Sequence, residues 1–272
     1  MRKRVMGFVA TTVAATTMLA ACATTTQEGA VGVERRQLLL VSSAEMDQSA
    51  TAAYQNVLKQ QGAKGAVNRD PQQVERVRRI AARLIPTTGV FRQDAPGWKL
   101  EVNVITSPEV NAWCMPGGKI AFYTGILEKL QMTDDEVAAV MGHEIAHALR
   151  EHGRERASQE LATAVGAGVV SSALGVGQGG TNLVAMVGQV TFLLPYSRLH
   201  ETEADRMGVE LAARAGYDPR AAIALWQKMA KLSGGGGPPQ ILSTHPSNEA
   251  RIRDLEVFAQ RVLPLYEQAR KR

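Results

Sequence analysis

The stretch that decides the fold is Thr133-Asp134-Asp135-Glu136-Val137-Ala138-Ala139-Val140-Met141-Gly142-His143-Glu144-Ile145-Ala146-His147-Ala148-Leu149. Thr133 and Glu136 form a capping box, so a helix starts here, and it is expected to run to about His152 with Gly153 as its C-cap. Val137, Val140, Met141, Ala148 and Leu149 make that helix apolar enough to be buried. His143 and His147 sit one turn apart on one face, where two imidazoles can grip one metal ion. Histidines in an apolar helix need partners, and a metal supplies them. Zinc takes neutral imidazole and carboxylate ligands and, in a catalytic site, leaves a position for water. It lowers that water's pKa toward about 7, and a neighbouring glutamate can take the proton during attack on a peptide carbonyl. Glu144 is the candidate for that base.

No histidine follows at the spacing used when the third ligand lies just downstream. His152 is five residues beyond His147, off the ligand face, and reads as a cation at the helix C-terminus. The better third ligand is in His200-Glu201-Thr202-Glu203-Ala204-Asp205-Arg206. Glu201 and Asp205 share a helix face, so Glu201 can bind the metal while Asp205 accepts an N–H from a ligand histidine. Glu203 points elsewhere and is expected on a solvated face.

Upstream, Ser43 to Gln60 reads as a helix, and Asp70-Pro71 opens a clearer one with Val74, Val77, Ile80, Ala81 and Leu84 on one face, ended by Pro86. Trp98 to Ile105 alternates polar and apolar residues as a half-buried strand does. Lys119 to Thr124 is a second strand, and the turn signal Pro116-Gly117-Gly118 between them predicts a small antiparallel sheet. Downstream, Leu161 to Leu194 is apolar but broken by Gly175, Gly177, Gly179 and Gly180. Its pieces are too short to span a bilayer comfortably. They read as two buried or interfacial helices, with a flap over the site or a membrane-touching hairpin as alternatives. Pro195 and Ser197 open a helix to about Ala215, Asp218-Pro219 opens the next, Ser233 to Pro239 is a glycine and proline loop, and Ser247 begins a last helix toward Tyr266. The fold class is α+β, mainly helical, with a small sheet beside the metal-bearing helices.

The N-terminus sets the compartment. Arg2, Lys3 and Arg4, a short apolar run and Leu19-Ala20-Ala21-Cys22 read as a signal peptide over residues 1–21. The Leu-Ala-Ala-Cys ending resembles the bacterial lipobox, which implies acylation of Cys22 and a membrane anchor. Residues 22–42 are then expected as a lipidated tether and 43–272 as the metal-binding domain. Arg2, Lys3 and Arg4 carry three of the five net positive charges. No basic stripe is interleaved with aromatics, so nucleic acid is not an expected partner. Cys114 is the only cysteine besides Cys22, so no intramolecular disulfide is expected.

Three motifs in order, the Gly142 to His147 run, Glu201 to Asp205, and Thr244-His245-Pro246-Ser247-Asn248-Glu249-Ala250-Arg251, resemble the HtpX and CAAX-prenyl-protease family of zinc metallopeptidases. The resemblance extends over Val67 to Arg253 and implies a gluzincin-type domain with one Zn2+ per chain, held by His143, His147 and Glu201, with Glu144 as base. It implies too that Asn111 and Ala112, before Pro116-Gly117-Gly118, lie on an edge strand that pairs with extended substrate. Its His-Pro then Arg arrangement places His245 and Arg251 near the metal. There, either could donate to the oxyanion, His245 could occupy a fourth zinc position and hold the enzyme latent, or Thr244-His245-Pro246 could merely cap a helix. Combined with the lipobox, the resemblance is to lipid-anchored periplasmic members of LoiP and BepA type. That implies hydrolysis of unfolded or misassembled envelope proteins on the periplasmic side of a membrane. Ala23, where inner-membrane lipoproteins of enterobacteria carry aspartate, points to the outer membrane. The competing readings are an envelope chaperone or assembly factor with little proteolysis, and a structural zinc protein. Neither needs a base at Glu144.

Overall fold

A computed structural model describes residues 22–166, 179–232, 239–246 and 249–271. In chain order these form β1 (Cys22–Ala23), β2 (Gln37–Leu38), α1 (Ser43–Ala63), α2 (Pro71–Leu84), β3 (Glu101–Ile105), β4 (Ala112–Met115), β5 (Lys119–Tyr123), α3 (Thr124–Lys129), α4 (Asp134–Leu149), α5 (His152–Gly166), α6 (Gly179–Phe192), α7 (Arg198–Arg214), α8 (Ala221–Leu232), α9 (Gln240–Thr244) and α10 (Glu249–Ala269). The class is α+β and mainly helical.

Helix α4 is the axis of the molecule. The Thr133 hydroxyl accepts from Glu136 N and the Glu136 carboxylate accepts from Thr133 N, closing the capping box, and every residue from Glu136 to Leu149 is buried. Around it pack α7, α2, α8 and strand β4. The approach of α7 is the closest, because two glycines face each other: a Cβ on Gly142 would lie 2.8 Å from Gly208 O, and one on Gly208 would lie 2.8 Å from His143 N. Real Cβ atoms do not come that near to backbone, so the pair sets how near the two helices can lie.

The helix stops sooner than its sequence implies. Arg150 is the C-cap, and Glu151 takes the left-handed conformation (φ 51°) usually left to glycine. Contacts with Arg92, Arg154 and Ser43 hold the Glu151 carboxylate in place. Gly153 therefore lies inside α5, and His152 begins a new helix direction instead of extending α4.

The main sheet has the order β3-β5-β4, with β3 parallel and β4 antiparallel to β5. The expectation of a plain antiparallel pair is corrected here: Pro116-Gly117-Gly118 turns the chain from β4 into β5, while β3 joins the far side of β5. Gly117 and Gly118 supply the positive φ values of 73° and 76° that this turn needs. All four β4 residues, Ala112 to Met115, are buried, so the strand shows no alternation to give it away.

Residues 22–42 are packed on the domain and do not trail as a tether. Val31 and Val33 enter the main core, Ala30 N and Val31 N donate to the buried Glu210 carboxylate at 2.8 and 3.1 Å, and Cys22–Ala23 pairs with Gln37–Leu38. Two apolar side chains and a set of polar anchors outweigh the flexibility suggested by the threonines. Beyond the core, α6 lies against α1, with Val187 in a second apolar cluster beside Met46, Tyr54 and Trp113. Among the described residues no helix is long and apolar enough to cross a membrane. The expected signal peptide over 1–21, Gly175 and Gly177, residues 233–238 of the expected glycine and proline loop, and Ser247 lie outside the described residues.

Candidate metal centre

The two long helices α4 and α7 cross so that His143 and His147 meet Glu201, and the chain after α9 returns to place His245 on the same point. These four buried residues each offer a ligand atom within 4.8 Å of the others. His143 Nε2 lies 3.1 Å from His147 Nε2 and 3.2 Å from His245 Nδ1. Glu201 Oε1 lies 3.0 Å from His245 Nδ1 and 3.3 Å from His147 Nε2. A tetrahedron with zinc–nitrogen arms of about 2.0–2.1 Å has edges of about 3.3–3.4 Å. The donor atoms are spaced close to that, and their types, three imidazoles and one carboxylate, suit zinc.

Second partners aim the ligands. His143 Nδ1 faces Asp205 Oδ1 at 3.0 Å, and Arg251 grips Asp205 with Nε at 2.7 Å and Nη2 at 2.8 Å. Arg251 Nη1 also forms an ion pair with Glu201 Oε2 at 2.6 Å, and its guanidinium lies over the Trp226 ring. Burial alone would raise the Glu201 carboxyl, but the surrounding histidines, His245 first, hold it well below the usual range. Burial opposes charge on His245, yet Glu201 and Glu144 facing it outweigh that and raise its pKa. The same two carboxylates favour any cation at this point.

Glu144 is buried, with Oε1 lacking a hydrogen-bond partner and 3.6 Å from His245 Nε2. Burial pushes its pKa up, and His245, His143 and the Cys114 backbone N–H pull against that. An orphaned carboxylate oxygen at a cluster of metal-ligand types is what a proton acceptor held ready for a substrate requires. Cys114 lies on β4, which pairs within the sheet with β5 alone and packs on α4. Ala112 opens that edge strand, and Asn111, just before it, accepts from Tyr123 N at 3.1 Å. A narrow cavity beside His143 and Glu144 is walled by Val140, Val209, Leu225, Trp226 and Met229.

The structure thus gathers His143, Glu144, His147, Glu201, Asp205, His245 and Arg251 at one point, with Asn111 and Ala112 leading into the neighbouring strand. Cys22 is not among them; it sits on β1, where Arg36 Nη2 donates to its carbonyl at 2.7 Å. Two readings are corrected. His152 is fully buried, its Nδ1 lies 2.9 Å from His147 Nδ1, and burial holds it well below the usual histidine range, so it is no helix-end cation. Glu203 is buried as well, paired with Arg35, Arg150 and His152. Tyr196 is an addition that spacing did not single out: its ring centroid lies 4.0 Å from that of His147 and its N–H donates to Thr244 O, which ties the His245 segment to the start of α7.

The sequence model of peptidase family M48 matches residues 71–259, which contain every residue of this cluster. The chain belongs to peptidase family M48. This M48 chain is 33% identical over 223 residues to the mitochondrial metalloendopeptidase OMA1 of Schizosaccharomyces pombe, covering 82% of the chain and 63% of that protein. It is 41% identical to the OMA1 of Arabidopsis thaliana over 58% of the chain and 31% of that protein. It is 30% identical to the beta-barrel assembly-enhancing protease of Escherichia coli over 61% of the chain and 36% of that protein. The chain therefore spans less than two thirds of the length of each of these relatives.

Proposed function

We propose that this M48 chain is a zinc-dependent endopeptidase acting on misfolded or misassembled proteins of a bacterial envelope. The observation that carries the reading is the convergence of His143, His147, Glu201 and His245 beside an orphaned Glu144 oxygen. Zinc bound there supplies Lewis-acid polarisation of a water and of the scissile carbonyl. Glu144 accepts the proton of the attacking water and returns it to the leaving amine. Strand β4, which among the described residues pairs only with β5, is the edge on which an extended substrate would pair, with Asn111 and Ala112 at its start; backbone pairing of that kind tolerates many sequences. Asp205 orients His143, and Arg251, engaged with both Asp205 and Glu201, holds the two carboxylates in register. The experiment is zinc analysis of the purified chain together with casein cleavage before and after chelation. Cleavage that persists without metal would sink the proposal.

For His245 the geometry favours a ligand role over donation to the oxyanion, because Nδ1 is 3.2 Å from His143 Nε2 and 3.0 Å from Glu201 Oε1. If zinc is held by His143, His147 and Glu201, a neutral His245 imidazole would be a fourth protein ligand, in the place a catalytic site leaves for water. His245→Ala is expected to raise casein cleavage several-fold. A loss of about 100-fold or more would instead identify an oxyanion donor. The closed arrangement also favours a second reading, an envelope assembly factor whose proteolysis is normally latent. Client rescue by a Glu144→Gln chain, in cells lacking the wild-type protein, is the result that would select it.

Envelope substrates are supported by the lipobox-like Leu19 to Cys22 and by relatives named for beta-barrel assembly. Those features favour a lipid-anchored LoiP or BepA type of member, tethered to the periplasmic face of the outer membrane through Cys22. Because β1 and β2 pair, a lipid on Cys22 would hold the domain close to the bilayer. Cys22→Ser is expected to move the protein from the membrane to the soluble fraction. Retention of the variant through a carbonate wash would show that something other than the lipid holds it.

A further inference from the structure

The far side of His147, read above as a zinc ligand, meets a second imidazole. His147 Nδ1 lies 2.9 Å from His152 Nδ1, and His152 Nε2 lies 2.9 Å from Glu203 Oε2. Two ring nitrogens in contact must be one donor and one acceptor. Glu203 decides which is which. A carboxylate accepts, so the His152 proton sits on Nε2 and its Nδ1 is bare. His147 must then donate from Nδ1, which leaves the lone pair of its Nε2 facing His143 and Glu201.

Glu203 also pairs with two guanidinium groups, Arg35 Nε at 2.9 Å and Arg150 Nη2 at 3.3 Å. Arg35 belongs to the N-terminal segment 22–42, not to the helices that carry the site, and it also bridges to Glu155 Oε1 at 2.6 Å. Gln37 and Thr26 of the same segment bond Arg150, through its carbonyl and its guanidinium respectively. The other ligand imidazole, His143, is aimed by Asp205 without an intermediate. His147 has no carboxylate of its own on that side and reaches one through a second imidazole. A buried polar chain of this length is favourable only when every member is satisfied, and each link here has its partner.

We propose that His152 is a positioning residue for the metal site: through it, Glu203 and the N-terminal Arg35 fix the tautomer and ring orientation of His147. Docking of residues 22–42 thereby tightens zinc binding. Supporting groups of this kind change metal affinity by about 10–100-fold.

Two measurements on the full chain test this. Long-range nitrogen–proton correlation spectra of the wild-type chain, with zinc chelated away, read the tautomers; protons on His147 Nδ1 and His152 Nε2 are expected. A proton on His147 Nε2 overturns the proposal without any substitution being needed. Competition with a chelator then gives the zinc Kd of variants beside the melting temperature of their zinc-free forms. Expected are losses of zinc affinity of about 10–100-fold for His152→Ala and smaller ones for Glu203→Gln and Arg35→Met. Lower melting temperatures with unchanged zinc affinity would mean that the network only holds the fold, and would overturn it. Should His152→Ala fail to fold, Glu203→Gln, which keeps the side-chain volume, and the wild-type spectrum still decide. A wild-type chain that takes up no zinc overturns the metal reading instead, while the tautomers continue to test the relay.

Discussion

Glu144→Gln should lose nearly all casein cleavage while keeping its fold and about one zinc per chain, because Glu144 stands beside the donor cluster without joining it. A positioned general base contributes about 100- to 10,000-fold in rate, and glutamine cannot accept the proton. The loss should fall in kcat. Wild-type cleavage by the variant would remove Glu144 from the mechanism. A second consequence concerns stability. Burial raises the Glu144 pKa above its ordinary value of 4.5, so the native state holds its proton to higher pH than the unfolded chain does. Stability therefore falls as pH rises from 4.5 through the raised native value, and at neutral pH the buried charge is a cost. Glutamine carries no such charge. The zinc-free variant should melt at a higher temperature than zinc-free wild type at pH 7, and the gap should close as pH falls below 4.5. The activity of the wild type should decline on the acid side above the ordinary glutamate range, since the base must be ionised to work.

Glu201→Ala should lower zinc affinity by more than the roughly 10–100-fold expected of a supporting residue, with proteolysis falling in parallel. Glu201 is fully buried and is the only carboxylate among the four clustered donors. Its removal takes the anionic ligand from the site, but Arg251 keeps both of its bonds to Asp205, so no unpaired buried charge is created. The measurement is zinc competition with a chelator, alongside casein cleavage. Because three imidazoles are left, His245 has a specific part in this experiment: the double variant Glu201→Ala/His245→Ala should bind zinc more weakly than Glu201→Ala alone. Unchanged zinc affinity in Glu201→Ala would show that the third ligand lies elsewhere.

The M48 family match covers residues 71–259, and in this chain that span is completed from outside. Val31, Val33 and Arg35 all precede residue 71, yet they reach the core and the buried network around Glu203. A truncation designed on the family match alone would cut away Arg35.

Features set by neighbours along the chain were legible from the residues alone. Thr133 and Glu136 start α4, Asp70 and Pro71 start α2, and Ser197 caps α7, because a cap is a bond to the next turn. The one-turn spacing of His143 and His147, and that of Glu201 and Asp205, is likewise a local property of a helix. Tertiary structure decided the rest. The wholly buried β4 has no alternation, so only its pairing with β5 reveals it and makes the sheet mixed. Gly142 and Gly208 are unremarkable in sequence, yet together they bring α4 and α7 close enough for His143 to meet Glu201. Helix periodicity makes His152 a helix-end cation and puts Glu203 on a solvated face because it reports one helix at a time. The break at Glu151 and the return of residues 22–42 enclose both, and enclosure by distant segments turns surface charges into partners of a ligand histidine.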